Sequence, residues 1–117
     1  MATYSLPILD RQGRECDAAE IIRQVGKWNL LAISGGKWGV LYEFVDNVTF
    51  YPIGAWLPCG AARMVEITLD FDDTYRVRRV RRITRGAQKN GGIIEFEQTG
   101  VYCDEVGEVA YRASCWR

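Results

Sequence analysis

The chain has 117 residues, of which 48% are hydrophobic and 12% aromatic, as in an ordinary globular domain with one core. Fifteen basic and fifteen acidic residues cancel, which excludes a net charge that would draw the protein to nucleic acid or anionic lipid from a distance. No apolar run approaches the roughly 20 residues that span a bilayer, and residues 1–10 lack the pattern of a signal peptide. These features predict a single cytoplasmic domain, residues 1–117, with no membrane partner.

Histidine is absent from the sequence, and the four cysteines form no Cys-x-x-Cys pair. Without imidazole the chain lacks the commonest general base near neutral pH and the usual activator of serine or cysteine nucleophiles. The cysteine spacing also does not match a common zinc site. We therefore expect a protein that is not an enzyme, holds no metal and no cofactor, and keeps its thiols reduced.

The first predicted helix follows an extended lead-in, residues 1–16, that shows little regular pattern. Asp17 opens the helix because an acid three residues later, Glu20, completes an Asp variant of the capping box. Apolar residues then recur at the spacing of one helix face: Ala18, Ile21, Ile22 and Val25. Gly26 supplies the stop, so the helix is predicted over about residues 17–25.

From Trp28 the pattern favours strands. The short apolar run Trp28–Ile33 is followed, after a tight glycine-containing turn, by the alternating segment Gly39–Val45. Asp46 and Asn47 form a two-residue hairpin turn in this interpretation, and Val48–Ile53 is the returning strand. The next segment, residues 54–60, is predicted to be a loop.

A third strand, Val65–Phe71, alternates apolar and polar residues and is predicted to be half-buried. Asp70, Asp72 and Asp73 lie at its end, where the chain needs a turn before the next strand. Three close carboxylates also admit a Mg²⁺ site as an alternative, although no second set of ligands is identifiable.

The most distinctive stretch is residues 74–89, which carries seven Lys or Arg and no acid, whereas residues 93–108 carry five acids and no base. Val80 breaks the inward phase of the basic strand, which predicts a bulge near Arg78 and Arg79. Residues 93–97 are predicted to return antiparallel to it. The candidate binding residues are these bases and one tryptophan of the predicted 54–60 loop: Arg76, Arg78, Arg79, Arg81, Arg82, Arg85, Lys89 and Trp56.

Two interpretations of the basic strand stay open at this stage. If no bulge intervenes, alternation along the strand places Arg76, Arg78 and Arg82 on one sheet face and Arg79 and Arg81 on the other. The guanidinium groups could bind phosphates or an acidic protein surface. They could instead be neutralised within the fold, by acids of the following strand and of the last helix.

The end of the chain returns to helical spacing, which predicts a C-terminal helix over about residues 101–113. The predicted fold is therefore α+β, with an antiparallel sheet of about five or six strands between an N-terminal and a C-terminal helix. An exposed edge strand of such a sheet could pair with a copy of itself, so homo-oligomerisation is left open.

Several short elements resemble an uncharacterised family of small proteins encoded by bacteriophages and integrated mobile elements. They are spread over most of the chain: Ile22-x-Gln24-Val25-Gly26, Ala32-Ile33-Ser34-Gly35, Val65-x-Ile67-x-Leu69, Asp73-Thr74-Tyr75-x-Val77 and Gly100-Val101-Tyr102. The chain departs from the family's pattern at Lys27, where the family tends to have Gly. The resemblance implies a helix–sheet–helix fold and an origin in a virus or mobile element, and it carries over no catalytic residue.

Together these observations lead to one expected function and one alternative. The expected function is a non-enzymatic phage or mobile-element module that binds and inhibits a host protein in the host cytoplasm, for counter-defence or host takeover. The alternative is direct nucleic-acid binding by the arginine-rich strand, residues 74–89.

Overall fold

The structure, a computed structural model, describes residues 5–6, 12–45, 48–83 and 92–116. These residues form an α+β fold with an antiparallel sheet and helices towards both ends of the chain, so the predicted fold class is confirmed. The elements in chain order are β1 (Ser5–Leu6), α1 (Ala18–Val25), α2 (Lys27–Ser34), β2 (Gly39–Val45), β3 (Val48–Gly60), β4 (Arg63–Leu69), β5 (Tyr75–Arg82), β6 (Gly92–Val101) and α3 (Val106–Ser114).

The six strands lie in the order β1-β6-β5-β4-β3-β2, and every neighbouring pair is antiparallel. From β2 to β6 the sheet is a meander, because strands that are consecutive in the chain are also neighbours in the sheet. Within the described residues, β2 forms one edge and the two-residue β1 covers part of β6 at the other. The charged strands β5 and β6 therefore lie far from the β2 edge.

All three helices contribute to a core on one face of the sheet. Alternation along β4 turns Val65 and Ile67 towards the helices, and both side chains are fully buried there. The opposite face is also covered at its centre, since Glu66 is only 1% exposed and Thr68 is buried. Residues 65–68 are therefore buried on both faces, although the sequence predicted a half-buried strand.

Helix α1 begins and ends as the sequence predicts. The Asp17 carboxylate accepts a hydrogen bond from the backbone N–H of Ala19 at 2.9 Å, which satisfies one of the free donors of the first turn. The apolar stripe that contains Ile21 and Val25 is buried in the core. Gly26 ends the helix with a φ of 89°, a backbone conformation that favours glycine.

Helix α2 replaces the strand that was predicted for Trp28–Ile33. A short apolar run fits either a buried strand or a helix. Here the glycines that flank the run favour the helix. Gly35 adopts a left-handed conformation, and its N–H bonds the carbonyl oxygens of Leu30 and Leu31, a common helix C-cap. The turn at residues 34–36 therefore joins a helix to β2, and not two strands.

Strand β3 continues through residues 54–60, where the sequence predicted a loop. Proline usually interrupts a strand because it has no backbone N–H to donate to a neighbouring strand. Pro58 lies beyond Trp56, the last β3 residue paired with β2, and so has a strand only on its β4 side. The proline is thus compatible with a strand, and Trp56 lies within the sheet.

The sequence predicted a β-bulge in the arginine strand, β5, but the bulge lies in the neighbouring strand, β6. Strand β5 pairs with β4 in unbroken register, so Val80 simply points away from the helices, into a small cluster with Ile94 and Met64. In the pairing of β5 with β6, Arg79 lies opposite Phe96 and Val80 opposite Ile94. Glu95 is therefore the extra residue of a β-bulge in β6.

Two further expectations differ from the structure or fall outside it. The C-terminal helix begins at Val106 and not near residue 101, because Val101 is still paired with Tyr75 in the sheet. The proposed hairpin turn at residues 46–47 lies outside the described residues.

Gly107 shows why α3 packs closely on the other helices. A Cβ atom at this position would lie 2.4 Å from the Val25 carbonyl oxygen and 2.7 Å from the Asn29 side-chain nitrogen. The first of these contacts is with backbone, which cannot rotate away. Glycine therefore lets α3 lie against the end of α1, at the cost of lower helix propensity.

We predict that Gly107→Ala destabilises the protein, although alanine favours helices by about 1 kcal/mol. The clash with Val25 must push α3 away, and overpacking of this kind costs about 1–3 kcal/mol. Urea denaturation of the variant measures the change in the free energy of unfolding. Arg112→Ala, on an exposed position of the same helix, should change it by less than about 0.5 kcal/mol. A stabilised Gly107→Ala variant would contradict the prediction.

Candidate binding surfaces

The arginines of β5 alternate between the two sheet faces as the sequence predicts, because the β4–β5 register is regular. Arg79 and Arg81 lie on the helix side, and Arg76, Arg78 and Arg82 on the other. Arg76, Arg78, Arg79 and Arg81 each meet a carboxylate of the same chain. Arg85 and Lys89 lie outside the described residues.

On the helix side, Glu95 binds three guanidinium groups. Its Oε1 accepts hydrogen bonds from Nε of Arg63 at 3.2 Å and Nε of Arg79 at 3.0 Å, and its Oε2 lies 3.3 Å from Nε of Arg81. The bulge explains this position, because an extra residue in β6 turns Glu95 to the same side as its neighbour Phe96. One carboxylate thus serves three positive charges from two strands.

Arg79 also holds the end of α3. Its Nη1 donates to the carbonyl oxygens of Ser114 at 3.1 Å and Trp116 at 2.6 Å, and more weakly to Ala113 at 3.5 Å. The last carbonyls of a helix lack partners within the helix and carry its negative dipole end. The Arg79 side chain, only 13% exposed, therefore satisfies α3 and Glu95 together.

On the opposite face, Glu97 is the main partner of the arginines. Its Oε2 accepts from Nε of Arg78 at 2.6 Å and lies 3.6 Å from Nη1 of Arg76. Nε of Arg76 also donates to the Asp70 carboxylate at 3.4 Å. The arrangement matches the interpretation in which the arginines of β5 are neutralised within the fold.

The three aspartates of the turn after β4 each have a partner inside the chain. Asp70 binds Arg76, and Asp73 forms an ion pair with Arg14. Asp72 accepts hydrogen bonds from the Thr74 hydroxyl at 2.6 Å and its backbone N–H at 3.0 Å, which lowers the pKa of the Asp72 carboxyl. Among the described residues, no group of three or more Asp, Glu, Cys or His is arranged to hold a metal ion. The observed contacts are those of a structural turn.

The cysteines are free thiols in two environments. Cys16 and Cys59 are partly buried, and burial is the main cause that raises the pKa of each thiol, to about 11 for Cys16. Cys103 and Cys115 are exposed. Cys103 lies in the turn before α3 and Cys115 directly after it.

Trp56, a candidate binding residue of the predicted 54–60 loop, lies instead within strand β3. Its indole covers Gly39 of β2, where an added Cβ would lie 2.5 Å from the ring. The same side chain lines a shallow depression of about 220 Å³ with Pro58, Met64 and Arg82. Trp56 therefore packs within the sheet and is only partly accessible.

The most exposed aromatic residue among the described positions is Trp28, at the start of α2, at 78%. Leu31, one turn later on the same side of the helix, is 45% exposed, and Ala32 beside it is also exposed. All eight residues of α2 are described, and of these only Ile33 is buried. The sequence analysis missed this surface because it assigned residues 28–33 to a strand.

A second exposed apolar region follows the β2 edge. Trp38 and Tyr42 are both exposed, and together with Val40 they line a depression of about 230 Å³ against the N-terminal end of α1. The shared lining shows that the side chains of residues 38, 40 and 42 lie on one side of the strand.

Comparisons with protein-family models, with curated proteins and with solved structures found no match for this chain. Within the described part of the chain, none of the helices has the length and apolar character needed to cross a membrane.

The Glu95 cluster gives a prediction about stability. Glu95→Gln removes the negative charge shared by Arg63, Arg79 and Arg81 and leaves the largely buried Arg79 without its ionic partner. Removing one partner of a buried ion pair lowers the free energy of unfolding by up to about 3–5 kcal/mol, and partial exposure here reduces the expected loss to about 2–3 kcal/mol. Chemical denaturation measures this change in the free energy of unfolding.

The matched control is Glu20→Gln, which removes the exposed pair with Arg23 on α1 and should cost less than about 1 kcal/mol. Equal losses for the two variants would show that the Glu95 cluster does not have the importance assigned to it.

Proposed function

We propose that this chain is a non-enzymatic module that acts by occupying the surface of another protein, and that α2 makes the central contact. The observation that supports the proposal is the exposure of Trp28 and Leu31 on one side of a helix that buries only Ile33 among its eight described residues. Tryptophan buries about 150–250 Å² when covered and is enriched among the residues that dominate binding energy. Its exposure indicates a surface that a partner covers.

The contact surface of α2 is held in place by the fold. Ile33 packs in the core, Gly35 caps the helix, and the Ser34 hydroxyl donates to the Lys37 carbonyl oxygen at 2.5 Å. The Asn29 side chain donates to the Val25 carbonyl oxygen at 3.0 Å. Binding would therefore order few additional groups, which favours affinity.

The charges around Trp28 indicate the chemistry of the partner. The Lys27 ammonium lies 5.5 Å from the centre of the Trp28 ring, Lys37 follows the helix, and residues 27–34 contain no acid. An apolar groove with an acidic rim would complement this surface. The resemblance to bacteriophage and mobile-element proteins supports a host protein as the partner, bound in the host cytoplasm.

We predict that Trp28→Ala abolishes capture of the partner, whereas Phe71→Ala does not. Phe71 is a suitable control because it is 73% exposed, almost as much as Trp28, but lies in the turn after β4. Immobilised wild-type and variant proteins are compared for saturable recovery of the same host protein from lysate. Loss of a central tryptophan should weaken the complex at least about thirtyfold. Equal recovery by Trp28→Ala, or no saturable partner for the wild type, contradicts the proposal.

Nucleic-acid binding is the second candidate, and one observation favours it. Three guanidinium groups share Glu95, which leaves excess positive charge near the end of β5, where Arg81 and Arg82 are exposed. The candidate is weaker than protein binding because Arg76 and Arg78 bind carboxylates on the other face. Among the described residues 74–83 of this segment, Arg81 and Arg82 at the end of β5 are the arginines that remain most accessible for phosphates.

If this end binds nucleic acid, Arg82→Ala should weaken binding several-fold and make its dependence on salt less steep by about one counterion. Arg23→Ala, which removes an exposed arginine on α1, is the matched control and should have little effect. A fluorescence-anisotropy titration at several salt concentrations measures both. Absence of binding at low salt, or equal effects of the two variants, rejects the candidate.

A further inference from the structure

The exposed edge of β2 is complementary to itself. Among the described residues, β2 pairs only with β3, so its outer backbone groups have no neighbouring strand. Natural proteins usually protect such edges with charges, prolines or covering loops. Here the edge and the two residues before it instead carry two exposed aromatic residues, Trp38 and Tyr42, and two charges of opposite sign: Lys37, two residues before β2, and Glu43 within it.

The spacing of these residues fits a two-fold axis at Val40. In an antiparallel pair centred there, Trp38 of one copy lies opposite Tyr42 of the other, and Lys37 lies opposite Glu43. Each contact occurs twice, as two-fold symmetry requires. Directly opposite residues point to the same sheet face, so the aromatic rings meet on one face and the charges on the other.

Moving the axis by one residue destroys this match. With the axis at Leu41, Lys37 lies opposite Val45 and Glu43 opposite Gly39; with the axis at Gly39, Lys37 lies opposite Leu41. Val40 is thus the centre that pairs both the charges and the aromatic rings. Aromatic pairs and opposite charges directly across two strands each stabilise the pairing.

The depression beside β2 gives the aromatic rings room to meet. It measures about 230 Å³ and is bordered by Trp38, Tyr42 and the beginning of α1. In the paired arrangement the depressions of both copies lie along the joint between the strands. The same rings that are exposed in the single chain would then be covered by their counterparts.

The geometry points to a homodimer in which two copies join their sheets through antiparallel pairing of β2, centred on Val40. The dimer extends the six-stranded sheet of each copy into one continuous sheet. The strand that pairs with the β2 edge belongs to a second copy of this chain. Each charged or aromatic residue of the edge meets its complement on the same edge of the other copy. The inference does not use Trp28, which lies on α2; Lys37 is the one residue that both proposals name.

A charge exchange tests the register directly. Lys37→Glu places two acids opposite each other at both ends of the joint, and Glu43→Lys places two bases there. Each single variant should weaken dimerisation about tenfold, because two favourable pairs are lost and like charges replace them. The double variant Lys37→Glu with Glu43→Lys should restore it. Sedimentation equilibrium over a wide concentration range at low salt measures the dissociation constants.

Contacts within one chain do not produce the same pattern. Lys37 lies two residues before β2 and Glu43 within it, so an extended chain between them places the two about 20 Å apart, and they do not interact directly in a single copy. The Tyr51 hydroxyl interacts with Glu43, a contact that raises the pKa of Tyr51 and is lost equally in the single and the double variant. Rescue by the double variant therefore reports pairing between copies.

Two controls complete the experiment. Lys27→Glu changes the net charge as Lys37→Glu does, but lies at the start of α2, and it should leave the dissociation constant unchanged. Trp28→Ala should also leave it unchanged, so failure of the dimer and failure of the proposed partner contact are distinguishable. A protein that is monomeric at every concentration overturns the inference. A dimer that the double variant does not restore overturns it as well.

Discussion

The position of the Glu95 carboxylate determines how the basic strand β5 and the acidic strand β6 contact each other. Glu95 is the extra residue of a bulge in β6, and the bulge turns it towards the helices, where it meets arginines of β4 and β5. Arg79, held there by Glu95, then donates to the last carbonyl oxygens of α3. The Glu95 side chain thus connects β4, β5 and β6 with one another and, through Arg79, with the C-terminal helix. Its negative charge balances the arginine charges between the sheet and that helix.

The use of arginines inside the fold leaves apolar surfaces as the main candidates for binding. On the face away from the helices, Glu97 and Asp70 bind Arg76 and Arg78, so most of the basic strand serves the sheet itself. The exposed aromatic residues of the two proposals lie on α2 and along β2, which is the sheet edge farthest from β6; others, such as Phe71 and Tyr102, lie elsewhere. The carboxylate-bound arginines of β5 and the apolar surfaces of the two proposals therefore lie in different parts of the molecule.

Features set by neighbours in the sequence were predictable, and features set by distant contacts were not. The Asp17 cap, the inward face of Val65 and Ile67 and the alternation of the β5 arginines follow from local spacing. The sequence did not reveal the bulge at Glu95, because it depends on register with another strand. It also could not decide whether Trp28–Ile33 is a helix, since a short apolar run fits both structures. Trp28 was therefore overlooked as an exposed residue, whereas Trp56 was chosen because residues 54–60 were assigned to a loop.

The two proposed contacts lie on consecutive segments, because only the turn at Gly35 and Gly36 separates α2 from the segment that leads into β2. Pairing of two copies through β2 would fix two α2 surfaces in one particle at a constant separation. A partner that offers two grooves at that separation would bind the second one as an intramolecular event, which can raise the apparent affinity 10²- to 10⁴-fold or roughly so without any new contact. The self-complementary edge and the exposed Trp28 would then act together: the first sets the spacing, and the second supplies the contact. A protein of this size can in this way bind tightly through a small apolar surface.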